Sequence, residues 1–329
     1  FGRRTILISC CAVYGLLSLL TALANSLMML VALRFLIGIG LGAVLPNALA
    51  LAGELVPSKK LASATGFVGI GITFGGVVAG AAAAKLLPIY GWPSLFVVGG
   101  ILPIVIAGLL WLALPESPAL KLEGDDAPRP DVRAILTPEW RARTLAIWAS
   151  FAAVLMLVYL MSGWIPLLIK AQGFSIETAS WIATAYHAGG MIGGVTASLM
   201  LSRWRWPVVA IFAAGAVVSL AILASAEWGI GPLSVLIVLA GLFVTGTQNG
   251  LNGSCGATYP AAIRATGLGW AHGLGRVGSI LGPLVGSLAL ILGLGAPRHF
   301  FILPIIPLIL ATLLALWLTR AARSPSGRS

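Results

Sequence analysis

The sequence predicts an all-α protein that crosses a membrane many times, and composition, run length and run continuity all point that way. Only 9% of the 329 residues are charged and 59% are hydrophobic, with a mean hydropathy of +1.03. A soluble domain carries about 25% charged residues, so water is not this chain's main solvent. Apolar residues gather in ten runs, at 5–24, 28–52, 62–84, 94–114, 144–168, 178–201, 207–225, 232–256, 265–292 and 299–319. A bilayer core takes roughly 20 residues of helix, which these runs supply. They are continuous, whereas transmembrane barrels alternate weakly in segments of about ten residues.

The first run follows FGRRTILISC, with Arg3 and Arg4 directly before the apolar stretch and no initiator Met. A secretory signal would look similar, but a secreted chain turns polar after it. This one stays apolar, so the run is expected to be a membrane helix.

The formal net charge of +11 is a matter of location. With Arg3 and Arg4 placed in the cytoplasm, fifteen of the 20 Lys and Arg residues fall on that side, and only Lys85, Lys170 and Arg298 on the other. This is the positive-inside asymmetry. Both termini come out cytoplasmic, and no nucleic-acid partner is expected. Cys10, Cys11 and Cys255 lie in or at the ends of apolar runs and show neither metal spacing nor a disulfide framework. They read as small buried hydrophobes.

The longest polar stretch, LPESPALKLEGDDAPRPDVRAILTPEWRAR, divides four runs from six. Its proline and charge predict a solvated linker. Thr137-Pro138-Glu139 reads as a helix cap, a proline at the first helical position and an acid in the first turn, so a short helix is expected to lead into the fifth run. An internal repeat explains the unequal division. ASATGFVGIGITFGGVVAG in the third run and IRATGLGWAHGLGRVGSILGPLVG in the ninth both open a glycine-rich helix with Ala-Thr-Gly, at Ala64 and Ala265. A repeat of six helices implies twelve, and two helices are expected before residue 1.

These features resemble the major facilitator superfamily, twelve-helix transporters built from two related six-helix halves. Phe1-Gly2-Arg3-Arg4 looks like the tail of its G-x-x-x-D-R-x-G-R-R loop motif. Arg34 with Gly38, Gly40 and Gly42 matches its R-x-x-x-G-x-G pattern, and Leu114-Pro-Glu-Ser117 the usual end of the sixth family helix. The block GLFVTGTQNGLNGSCGATYPAAIRATGLGWAHGLGRVGSILGPLVG, residues 241–286, is more specific and resembles the aromatic acid:proton symporters, as does NALALAGELVPSKK. The second loop motif, LSRWRWP, is degenerate, and the acidic first-helix motif of the family would lie in the absent part.

The resemblance implies a two-fold pseudo-symmetric bundle with ten of twelve transmembrane helices present. Residues 1–114 would form the N-terminal half, 115–143 the cytoplasmic linker, 144–320 the C-terminal half and 321–329 a cytoplasmic tail. It also implies a multi-pass protein of a bacterial-type inner membrane that imports small aromatic carboxylates with protons by alternating access. A carrier of sugars or drugs, or a non-transporting truncated product or receptor, are the alternatives.

Arginine inside a membrane run demands an explanation. Arg34 lies about 9 Å and Arg276 about 18 Å into their helices at 1.5 Å per residue. A charge near the bilayer centre costs at least roughly 2.5–3.5 kcal/mol, so each should face the interior with a partner. A guanidinium fork for a substrate carboxylate is one role, and a structural cation on helix carbonyls or on acids of the absent helices is the other. Of the nine acids, only Glu54 ends an apolar run away from loops and linker. The resemblance places it in a cytoplasmic gate with Arg3 and Arg4, while a plain interfacial acid beside Lys59 and Lys60 is the simpler reading.

His187 and His272 are the titratable candidates for proton handling, and His272 precedes Arg276 by one turn. A membrane histidine also serves in packing. Gln248, Asn249 and Asn252 either glue helices or line a wet cavity, and the resemblance puts their helix at the cavity wall. Tyr159 and Trp164 could stack an aromatic ring, though Trp164 also suits an interfacial belt. Glycines four apart at Gly71/Gly75, Gly76/Gly80, Gly189/Gly193, Gly190/Gly194 and Gly278/Gly282/Gly286 allow close helix approach.

Paired acids, a metal-ligand cluster and a phosphate loop are all missing from the sequence, so no enzyme, no cofactor and no ATP coupling are expected. In a cysteine-free background, single cysteines at 85 and 170 should react with an impermeant reagent on intact cells, and those at 59 and 60 should not. Labelling at 59 would reverse the orientation.

Overall fold

The computed structural model describes residues 3–55, 61–115, 131–201, 203–293 and 297–321. Among them every regular element is helical. In order these are α1 Arg3–Ala22, α2 Leu27–Leu55, α3 Leu61–Tyr90, α4 Pro93–Ala113, a 3-10 turn Val132–Ile135, α5 Arg141–Ala171, α6 Ile176–Leu201, α7 Trp206–Ser225, α8 Ile230–Thr258, α9 Ala261–Ile291, α10 Pro297–Ile302 and α11 Ile305–Ala321. Lipid offers no hydrogen bonds to an unpaired backbone, so helices that satisfy their own N–H and C=O groups are what such apolar runs must form. Ser26 and Ser175 cap α2 and α6, accepting from the amides of Met29 and Thr178 at 3.2 and 3.1 Å. α3 and α5 stop at Gly91 and Gly173, whose φ of +70° and +90° suits glycine.

The tenth apolar run is broken. Pro304 donates no backbone hydrogen bond and restrains Leu303, so α10 and α11 are separate helices. Among the described residues, eight helices are long and apolar enough to cross a membrane, Phe300–Ala321 included. α6 has the length, at 26 residues, but its hydroxyls and glycines keep it outside that set. In α2 the described apolar stretch is Leu27–Gly42, part of a helix that runs on to Leu55.

By internal contacts the chain has two compact units, Phe1–Ile72 with Ala81–Pro128, and Thr73–Gly80 with Arg129–Ser329. In the first, α1 packs against α2 and α4. α1 and α4 cross at two glycines: a Cβ on Gly15 would lie 2.7 Å from the Gly100 carbonyl oxygen, and one on Gly100 2.8 Å from that of Gly15. Arg4 Nη2 donates to the Trp111 carbonyl at 2.6 Å and Ser18 Oγ to that of Phe96 at 3.2 Å, pinning the same pair.

In the second unit, two glycine seams set the packing. Along α9, Gly275 faces Leu155, Gly278 faces the Ala152 carbonyl, Gly282 that of Met156 and Gly286 the Trp164 indole, all on α5. α6 meets α8 the same way, with Gly189 on Val238 and Gly193 on Leu242. At each site a Cβ would collide with the neighbour, and glycine is what admits backbone to backbone.

The approach to α5 differs from the capped helix expected at Thr137. Asp131 Oδ1 accepts from the Arg133 amide at 2.8 Å and starts the 3-10 turn, while Thr137–Trp140 forms a turn running directly into α5. Ile135 is fully buried there. Tyr259 donates to Thr144 Oγ1 at 3.0 Å, and Thr144 donates to the Ile135 carbonyl at 2.7 Å. Arg143, stacked 5.4 Å from the Trp140 ring, donates to the Ala321 carbonyl at 3.2 Å. This mixed cluster fastens the end of the linker to α5, α11 and the α8–α9 hairpin.

Two measurements follow from this packing. Gly278→Ala should lower the stability of the purified protein by about 1–3 kcal/mol in thermal unfolding, because the Ala152 backbone cannot yield cheaply. Gly38→Ala, with nothing within 4 Å, should leave it unchanged or slightly raised. At Tyr259, burial pushes the phenol up to about 12 from 10.0, with the Cys255 thiol adding to the rise. The neutral phenol thus adds stability below pH 10 that is lost as pH climbs through 12. The Tyr259→Phe protein should lack that step in its alkaline unfolding profile.

Candidate functional site

α9 carries three distinct faces. The glycines meet α5, while Trp270, Val277, Leu284 and Leu288 are exposed apolar residues suited to lipid. The remaining face holds His272, Arg276 and Ser279, polar groups at one-turn spacing. Arg276 Nη1 donates to the hydroxyl of Tyr159 on α5 at 2.9 Å. Among the described residues this is the hydrogen bond its guanidinium makes, and no carboxylate pairs with it. Ser279 is satisfied locally, donating to the Arg276 carbonyl at 2.7 Å. His272 sits edge-on to Phe151, ring centroids 5.0 Å apart. A guanidinium carries five N–H donors, and this bond uses one of them.

The amides of α8 separate. Gln248 Nε2 donates to Asn252 Oδ1 at 3.1 Å, one turn away. Asn249 turns to α6, where a Cβ on Gly194 would meet its Nδ2 at 2.5 Å. It belongs to the α6–α8 seam, the gluing role of a membrane amide. His187 lies half-buried on α6, its ring 5.5 Å from that of Tyr186. The Thr73–Gly80 turns of α3, which group with this unit, approach the same stretch: a Cβ on Gly76 would meet the His187 ring at 2.6 Å.

In the first unit Arg34 is exposed, with its guanidinium 4.6 Å from the Phe96 ring centroid. The partner is an aromatic face in place of an acid. Arg4 is engaged by the Trp111 carbonyl. The side chains of Arg3 and Glu54, like Lys59 and Lys60, lie outside the described residues. The Phe96 and Trp111 contacts went unread in the sequence, where aromatic residues in apolar runs carry no mark of which cation they will meet. Among the described residues no group of three His, Cys, Asp or Glu side chains could hold a metal, and the cysteines are free.

A bundle of long apolar helices, crossed at glycines and carrying an unneutralised arginine on a polar helix face, defines a polytopic membrane protein of the carrier type. The chain belongs to the Major Facilitator Superfamily, whose profile matches residues 1–179 and 166–329. It is 32% identical over 328 residues to the 4-hydroxybenzoate transporter PcaK of Pseudomonas aeruginosa, covering 90% of this chain and 72% of that one. It is 34% identical to the gallate transporter of Pseudomonas putida, over 92% of this chain and 74% of that one. The 3-(3-hydroxy-phenyl)propionate transporter of Escherichia coli is 35% identical, over 90% and 72%. Among solved structures, a bacterial homologue of the human lysosomal transporter Spinster, inward-facing and occupied, superposes with a TM-score of 0.70 at 18% identity. That match covers 96% of this chain and 82% of the other, and it shows the shared fold.

Proposed function

We propose that the protein is a secondary active transporter that imports small aromatic carboxylates by proton symport, with alternating access between its two units. The observation that carries the reading is Arg276: a cation within a membrane helix whose partner is a phenol, leaving its charge unbalanced until an anion arrives. A sugar supplies no such charge, which favours an organic acid. The aromatic part of the reading draws on the named activities of three relatives at 32–35% identity. Tyr159, 40% exposed, is the aromatic surface beside the guanidinium. In this reading Arg276 binds the carboxylate, with Arg34 as a second cation, and Gln248 and Asn252 form the α8 wall, while Asn249 stays in the α6–α8 seam. His272 and His187 are the proton carriers offered by this chain. Glu54, Arg3 and Arg4 act in a gate at the face where the linker runs. The setting is a bacterial-type inner membrane, with both termini in the cytoplasm.

The complete reading frame should be expressed in cells that lack aromatic acid uptake. Accumulation of labelled 4-hydroxybenzoate or gallate, abolished by a protonophore, is the expected result. Uptake indifferent to the proton gradient would remove symport, and no uptake of any aromatic acid would remove the substrate class. Arg276→Ala should weaken substrate affinity of the purified protein about ten- to a hundredfold, the equivalent of roughly 1.5–3 kcal/mol for a charged hydrogen bond. Arg276→Lys keeps the charge, loses the fork and should recover only part. Normal affinity at reduced abundance would instead make Arg276 a scaffold residue.

A further inference from the structure

Two buried side-chain oxygens of α8, Gln248 Oε1 and Ser254 Oγ, have no hydrogen-bond partner among the described residues. Thr247 and Thr258 return their hydroxyls to the Phe243 and Ser254 carbonyls at 2.8 and 2.7 Å. Gln248 gives one Nε2–H to Asn252, but its carbonyl oxygen Oε1 is buried with no hydrogen-bond partner among the described residues. Ser254 Oγ is also unpartnered, but its residue is fully buried beside the core residues Leu251 and Cys255. A buried amide oxygen without a donor is costly and rare, and it demands a partner that arrives.

The chemistry of that partner is restricted. Oε1 only accepts, so it repels a carboxylate, which also only accepts. The guanidinium of Arg276 only donates. Together the two groups fit a molecule with an anionic acceptor at one end and a hydroxyl donor at the other. Their spacing along the bundle is compatible with one ring. α8 ends and α9 begins at the Tyr259-Pro260 hairpin. At 1.5 Å per residue, Gln248 lies roughly 15 Å and Arg276 roughly 22 Å from it, an offset of about 7 Å. α8 and α9 also pack on each other and on α5.

We propose that Gln248 is a specificity-determining residue that accepts a hydrogen bond from a hydroxyl on the substrate's ring. Asn252 is its positioning residue: by accepting from Nε2 it holds the amide with Oε1 turned away from Asn252 and unpaired. The inference rests on the aromatic carboxylate reading above. It adds that the protein discriminates hydroxylated acids from unsubstituted benzoate, which has no donor to offer.

The test measures binding of 3-hydroxybenzoate, 4-hydroxybenzoate and benzoate to the purified protein from the complete reading frame. The wild type should bind at least one hydroxybenzoate ten times more tightly than benzoate or better, since a site built to pair a hydroxyl rejects the analogue that lacks it. Gln248→Met, similar in length and without an acceptor of that kind, should bring this ratio to within about twofold of unity through loss of hydroxybenzoate affinity, and an unchanged thermal unfolding midpoint of the purified variant reports an intact fold. Asn252→Leu frees the amide to rotate and should lose most of the ratio. Asn252→Asp still accepts from Nε2 and should keep it, even where both affinities fall. Equal losses for all three acids in Gln248→Met, or an unchanged ratio, would overturn the proposal. So would a wild type that binds benzoate and the hydroxybenzoates alike, which leaves the transport reading standing. A wild type that binds none of the three removes both.

Discussion

Backbone contact between α5 and α9 is the constraint on which the polar face of the second unit depends. Lipid tails are as apolar as leucine, so helices in a bilayer gain little by hiding hydrophobic surface and associate mainly through close packing. The Gly275, Gly278, Gly282 and Gly286 edge supplies that packing and fixes the rotation of α9 about its axis. With 3.6 residues per turn, a helix held along those glycines has no freedom to re-aim its other faces. Arg276 is thereby placed on the flank of the seam, from which its long arm reaches Tyr159. Val277 and Leu288 are carried to the opposite flank, where they are exposed. One register of small residues therefore settles which side chains meet lipid and which meet the interior.

The electrostatics follow the same economy. A buried carboxylate beside Arg276 would neutralise it and occupy its fork, leaving a structural ion pair. The protein instead gives Arg276 a phenol and Arg34 a phenyl face, partners that orient a cation without cancelling its charge. Such a site is poorly stabilised when empty. Water or an anion must supply the rest of the balance.

The sequence made the number and limits of the long helices legible because bilayer thickness dictates both. α1, α4, α7 and α8 begin and end within about two residues of the apolar runs. It also marked the glycine seams, since spacing of four is their cause. What escaped it was contact across helices. Asn249 lies next to Gln248 in the chain, yet sits in a different seam because one residue turns the helix by about 100°. The Gly15–Gly100 crossing involves single glycines far apart in sequence, which no spacing rule detects. Thr137 carried a sound capping pattern, but the burial of Ile135 and its hydrogen bond from Thr144 drew the chain into a 3-10 turn at Asp131 instead. The fourth apolar segment of the second half, by contrast, contained the residues that matter most, with Gln248 and Asn252 one turn apart and able to pair within their own helix.

That pairing changes what the two amides can do. A lone glutamine in a cavity presents donor and acceptor interchangeably, so it tolerates many ligands and selects none strongly. With Asn252 accepting one Nε2–H, the group of Gln248 left without a partner is its carbonyl oxygen. Arg276 fixes the opposite polarity on α9. In the proposed reading, the two helices that share a hairpin would offer an acceptor and a donor to one molecule. Specificity of that kind needs no moving part. The Gln248–Asn252 and Arg276–Tyr159 bonds both lie wholly within the second unit.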